Sequence, residues 1–290
     1  MSKNLFTLLI AFIMCLASCS FVSKDFDTSD KDNLIIQLIT YVLDQAHYLD
    51  KEINDEFSEK VFDTFLENLD PYKRYFYASD IEEFSKYKYL IDDAFKNPNL
   101  DFFELVYKRY TKRMLESEKI FNDILSKPFD FNKDEVCECD FEELDYVKTK
   151  DQLFDRWRKL LKIYVIEIYY NEIEDDLRKS KENSDFILRK PVLIEQKTRE
   201  SLKEIMQQNY VFISEEMQRS DWFSVYINSF VSQYDPNTSY LDPESKDRFD
   251  VDMSGNYAGI GARLQKKIDK VEITEVISGG PAWRDNILEK

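Results

Sequence analysis

The chain of 290 residues carries 57 acidic against 40 basic side chains, a formal net charge of −17, with 33% charged and 43% hydrophobic residues. Its 22 Phe and 18 Tyr are too many large apolar side chains for a disordered polymer, and the length suits about two folded domains. The negative charge repels phosphate backbones, which excludes nucleic acid as a partner over most of the surface.

The first element is an export signal. Lys3 and the amino terminus form a small positive region, and an uncharged apolar run follows from Leu5 to Leu16, too short to span a bilayer. It ends in Leu16-Ala17-Ser18-Cys19, which resembles the lipobox of bacterial lipoproteins. That likeness implies cleavage after residue 18, lipid on Cys19 and a place in the bacterial cell envelope, on the periplasmic side and anchored to the membrane. Residues 19–33 then read as a tether.

From Leu34 to Ala46 apolar residues recur at i, i+3, i+4 spacing, as an amphipathic helix requires. The one histidine, His47, falls in that pattern and reads as an ordinary helix-surface or core residue; no multi-histidine metal site exists around it. Further helices are predicted at 53–68, 79–95, 101–126, 149–180, 191–219, 221–233 and 243–252, with Ser79 and Glu82 in capping-box spacing. Cys137-Glu138-Cys139 reads as a loop dithiol, since a ring so small is strained and two ligands leave a zinc site incomplete. Neither metal nor cofactor is expected.

Phe65, Asp70, Pro71, Tyr75 and Phe84 recur as Phe230, Asp235, Pro236, Tyr240 and Phe249, at an offset of 165 residues. Both copies read as helix, Asp-Pro turn, tyrosine, helix. Two copies are too few for a solenoid.

All 5 glycines fall at or after Gly255. Before that point turns must be closed by Asn, Asp and Pro, which favours helices; after it, 258–265 and 271–277 carry the β-branched alternation of strands, and Gly279-Gly280-Pro281-Ala282 opens a short helix. The fold class is therefore mainly α: a glycine-free helical domain at 34–252, then a β-rich module at 253–290. Gly259-Ile260-Gly261-Ala262 precedes a strand, so its amides suit an anion and the strand suits an added peptide edge.

Tyr234-Asp-Pro-Asn-Thr-Ser-Tyr-Leu241, Gly259-Ile-Gly-Ala262 and Gly279-Gly-Pro-Ala282 occur in the order seen in C-terminal processing, or tail-specific, serine proteases. Leu69-Asp-Pro-Tyr-Lys-Arg-Tyr-Phe76, Ser79-Asp80-Ile81 and Phe154-Asp-Arg-Trp-Arg-Lys159 resemble the helical N-terminal domain of the long branch of that family. The resemblance implies a PDZ domain whose first part is 253–290, with Gly259, Ile260, Gly261 and Ala262 at the carboxylate of a substrate's C-terminus, and a Ser/Lys catalytic core beyond it. Its partners would be proteins or peptides with a free C-terminus. No catalytic residue is expected within these residues: Ser58 with Lys60 and Ser117 with Lys119 sit at i, i+2 and read as solvated helix surface. The competing expectation is a non-catalytic lipoprotein adaptor that binds protein partners or peptide C-termini.

Overall fold

A computed structural model describes residues 28–183, 185–254, 259–266 and 271–285. Helix α1 (Thr28–Ala46) starts inside the expected tether and buries Ile36 and Leu43. Asn54 caps α2 (Asp55–Leu69) by accepting the Phe57 amide at 3.1 Å, and α2 buries Phe57, Val61, Phe62, Phe65, Leu66 and Leu69 along one face.

The helix predicted at 79–95 is broken. It is divided into α3 (Ala78–Phe84), a 3₁₀ turn at Ser85–Tyr87 and α4 (Ile91–Lys96). Ser85 returns its hydroxyl to the Ile81 carbonyl at 2.7 Å, which competes with the helical ladder. The start of α4 is held to α2 instead, because the Asp92 amide donates to Ser58 Oγ at 2.8 Å. The cap of α3 also differs from Ser79 and Glu82: Asp80 reaches back to the Tyr77 amide at 3.0 Å.

Helix α5 (Asp101–Leu125) leads through an irregular stretch at 126–149 to α6 (Lys150–Glu182), which opens on a Thr149 and Gln152 capping box. The helix predicted at 191–219 ends early. It runs as α7 (Pro191–Val211), passes through a π turn at Phe212–Glu216 where Ser214 Oγ donates to the Tyr210 carbonyl, and restarts as α8 (Arg219–Val231). Asp221 marks the restart by accepting the Gln218 amide at 2.7 Å. Helix α9 (Pro243–Ser254) buries no residue.

The core is aromatic. Tyr226 is fully buried, with its ring 5.0 Å from Phe65, 5.6 Å from Phe95 and 5.6 Å from Phe103, and Phe95 stacks on Phe230 at 3.6 Å. These rings come from α2, α4, α5 and α8, so the core closes only when both ends of the helical region meet. The 165-residue echo has a physical basis here. Asn68 Nδ2 donates to Ser229 Oγ at 3.1 Å, and Gln233 Nε2 donates to Thr64 Oγ1 at 3.0 Å. Positions 64 and 68 correspond to 229 and 233, so α2 and α8 clasp each other reciprocally and antiparallel. The echo fades beyond the turns: Phe84 is buried, whereas Phe249 is half exposed.

The Phe154–Lys159 motif also acquires a role. Trp157 Nε1 donates to the Arg74 carbonyl at 2.8 Å and Arg156 to the Lys73 carbonyl at 2.6 Å. Helix α6 thus grips the turn after α2, while Arg158 and Lys162 bind Glu135 and hold its carboxyl well below the usual range.

After α9 the character changes as the glycines do. Strands β1 (Ala262–Lys266) and β2 (Val271–Val276) pair antiparallel, with a bulge between Arg263 and Leu264, and α10 (Pro281–Asp285) follows.

The Tyr226 hydroxyl is buried with no hydrogen-bond partner, and burial pushes its phenol pKa up. Tyr226→Phe removes an unsatisfied polar group and keeps the ring, so thermal unfolding should show stability unchanged or raised by about 1 kcal/mol. A loss of stability would mean that the hydroxyl is satisfied.

Asp80 makes the opposite case. Burial opposes its ionisation, but Arg113, the Tyr77 amide and Arg109 outweigh that and hold its carboxyl below the usual range. A depressed folded-state pKa gives stability that is present above the unfolded value of about 3.9 and is lost as pH falls through the folded value. Urea midpoints should therefore fall between about pH 5 and about pH 2, and Asp80→Asn should lower the neutral plateau and flatten that fall.

Candidate functional site

The glycine loop is fixed by its carbonyl side. The Ile260 carbonyl accepts the Ala282 amide at 2.9 Å, and the Gly261 carbonyl accepts the Ile277 amide at 2.8 Å. Gly261 has φ +76, and a Cβ there would lie 2.9 Å from Pro281 Cδ and 3.0 Å from Gly280 Cα. Only glycine suits that conformation and that approach. Gly259 has open space around it.

The described residues contain no cis peptide, and a trans peptide points its carbonyl and the following N–H to opposite sides. The Gly261 and Ala262 amides therefore point away from the 277–282 turn. For Ala262 that direction is the edge of β1 opposite β2, and among the described residues β1 has β2 as its only neighbour. Two successive amides thus stand at the open end of a strand edge, an arrangement suited to a carboxylate and a peptide running beside it. Ile260 and Leu264, beside those amides in sequence, are each 55% exposed. Sequence reading missed the partners of the loop: Gly279-Gly280-Pro281-Ala282 was legible as a motif, but not as the platform beneath Gly261.

Of the helix-surface and core readings of His47 the core one holds, although the residue is not helical. It lies just beyond α1, its ring is nearly buried, and Nε2 lies 3.0 Å from Asp235 Oδ2 and 3.1 Å from Thr238 Oγ1. The Thr238 hydroxyl, the Asn237 amide and His47 hold the Asp235 carboxyl down to about 2, against the opposing effect of burial. This joins α1 to the Asp-Pro turn after α8. It contains no nucleophile poised for attack, and it serves as a tertiary bolt.

The serine and lysine pairs also differ from the solvated surface expected. Ser58 is fully buried and donates to Asp92 Oδ1 at 2.7 Å, and Ser117 is buried and donates to the Met114 carbonyl at 2.6 Å. Lys60 and Lys119 point outward from the same helices. Helical geometry separates i and i+2 by about 200°, so a buried serine places that lysine in water. Among the described residues no group of three or more His, Cys, Asp or Glu side chains is arranged to hold a metal ion. Cys19 lies outside the described residues, and none of the described helices is long and apolar enough to cross a membrane. Cys137 and Cys139 are free thiols in the stretch between α5 and α6.

Comparison with known proteins supplies the family. Residues 39–244 match the model of the tail specific protease N-terminal domain. A tail-specific protease of Haemophilus influenzae is 27% identical over 261 residues, which cover 90% of this chain and 34% of that protein. A probable CtpA-like serine protease of Staphylococcus aureus is 41% identical over 56 residues, covering 19% of this chain and 11% of that protein. The chain thus spans about a third of the length of the Haemophilus relative. The match to the N-terminal domain takes in α2 through α8, including both Asp-Pro turns and the aromatic core they close, and the chain belongs to the tail-specific protease family.

Proposed function

We propose that this chain is the N-terminal, substrate-recognising part of an exported tail-specific serine endopeptidase. In this reading residues 253–290 open a PDZ domain that receives a substrate's free C-terminus, and a Ser/Lys dyad lying beyond this chain does the cutting. The observation that carries the reading is the direction of the Gly261 and Ala262 amides, turned to the open edge of β1 because both preceding carbonyls are taken by the 277–282 turn. A terminal carboxylate on those amides would leave the peptide aligned with β1 as an added strand. The lipobox-like Leu16-Ala17-Ser18-Cys19 supports a periplasmic protein held to the membrane by lipid on Cys19.

A second reading, a lipoprotein adaptor, draws on the outward face of α1, where Leu34, Leu38, Tyr41 and Val42 are exposed. It needs no dyad, and it binds protein partners or peptide C-termini.

The carboxylate site is tested on peptides. A fluorescent peptide ending in an apolar residue with a free carboxylate should bind the chain at least about tenfold more tightly than its amidated twin, roughly 1.4 kcal/mol. Gly261→Val should abolish that preference while the helical circular dichroism stays unchanged, because the new side chain meets Pro281 and the loop must turn. Equal binding of both peptides would overturn the carboxylate reading. Separately, Cys19→Ser should abolish metabolic labelling with palmitate and release the protein from the membrane fraction; retained labelling would place the lipid elsewhere.

A further inference from the structure

The stretch between α5 and α6, residues 126–149, is long for a connection without regular structure. It is nevertheless pinned on both sides of one short span. On one side Glu135 is bound by Arg158 and Lys162 of α6, at 2.6 and 2.8 Å. On the other, Phe141 packs edge-on against Tyr72 at 5.1 Å and the Val147 carbonyl accepts the Ala78 amide at 2.8 Å. Between the pins lie Cys137 and Cys139.

Free cysteine is ordinarily among the most buried residue types. Here Cys139 is exposed and Cys137 only partly covered. The span is curled, with Cys139 Sγ 3.7 Å from the Cys137 carbonyl oxygen. Cys137 borders two open cavities of about 430 and 380 Å³, both of which Lys159 also lines, so a peptide-sized reactant can approach the pair. Residues 28–290 contain no third cysteine, so within that part of the chain each thiol has only the other as a partner.

We propose that Cys137 and Cys139 form a thiol–disulfide exchange site whose substrates are disulfide-bearing peptides or proteins. The Cys139 thiolate, being exposed, attacks one sulfur of the substrate disulfide. The substrate S–S bond breaks, one substrate thiol leaves, and a mixed disulfide forms on Cys139. The Cys137 sulfur, its proton passing to the departing thiolate, then attacks Cys139 Sγ and displaces the second substrate thiol. The chain is oxidised by two electrons to a Cys137–Cys139 disulfide and the substrate is reduced to two thiols. Burial pushes the Cys137 thiol pKa up, in keeping with its part as the second, intramolecular attacker, which needs proximity more than a standing negative charge. The ring spans a single intervening residue and is strained, so this step runs forward only on substrate disulfides that are more oxidising still and otherwise runs in reverse, with the chain's disulfide oxidising two substrate thiols. The pins at Glu135 and Phe141 confine ring closure to the span between them.

The full chain is equilibrated with glutathione and glutathione disulfide at graded ratios, quenched in acid and alkylated. The proteolytic peptide holding both cysteines is then weighed. The expected product is that peptide lighter by two hydrogens, unalkylated and without glutathione, its ratio to the dithiol rising in proportion to [GSSG]/[GSH]². Cys137→Ser, which keeps Cys139, should take up glutathione at least about tenfold faster than Cys139→Ser. Glutathione on both thiols of the wild type, a dithiol at every ratio, or crosslinks between two chains would overturn the proposal. Equal or reversed capture rates in the two variants would overturn the division of roles. Circular dichroism of both variants controls for folding.

Discussion

Asp70 is almost wholly buried at the end of α2, where its carboxylate receives the amides of Arg74, Tyr75 and Phe76 at 2.8, 2.9 and 2.9 Å. Burial pushes its pKa up, and those three amides with Arg74 only partly offset it. The chain accepts this cost because it has no glycine to end a helix before residue 255. Where another protein would turn through a glycine, this one folds the backbone around a side-chain oxygen and places Lys73, at φ 45, in the left-handed region. Asp235 folds the turn after α8 in the same way, while Asn54, Asp80, Asp221 and Asp242 accept amides at the starts of helices. Part of the acidic excess is therefore structural. Carboxylates that elsewhere face water are here the fittings between helices.

The turn at Asp70 is also where distant segments converge. Trp157 and Arg156 of α6 take its outward carbonyls, and the Arg74 guanidinium lies 4.8 Å from the Trp157 ring centre. The matching turn at Asp235 takes His47 in place of α6. One of the two related turns thus receives the long helical hairpin and the other receives the N-terminal helix. Their likeness ends beyond the turns, where Phe84 packs edge-on against Phe76 at 5.4 Å and is buried while Phe249 is half exposed.

Much of this was legible in the sequence. Apolar spacing in α2, α5 and α8 marks the residues that form the core, and the first appearance of glycine marks the passage from helix to strand. The repeated Asp-Pro turns were visible as a pattern, but nothing in a linear sequence shows that Asn68 and Gln233 bond across it. The interruptions at Ser85 and Phe212 were hidden because no Gly or Pro announces them; a serine hydroxyl bonding back to its own helix is a local signal too weak to separate from ordinary helix surface. Ser58 and Ser117 were misplaced for a related reason, since a hydroxyl reads as solvent-facing until a buried Asp92 or a free helix carbonyl is set beside it. For the glycine loop the residues were found, while the platform that aims its amides required coordinates.

The reciprocal clasp of α2 and α8 has a consequence during synthesis. Asn68 and Ser229 are 161 residues apart, and the faces of Phe57 and Phe65 are completed only by residues from α8. At translation speeds of about 5–20 residues per second, α2 would wait roughly 10–30 s for its partner to leave the ribosome. For that interval α2 can rest on α4 and α5, through Ser58 with Asp92 and Phe62 with Phe102, but the Phe57 ring waits for Phe230 and Tyr234, its aromatic neighbours.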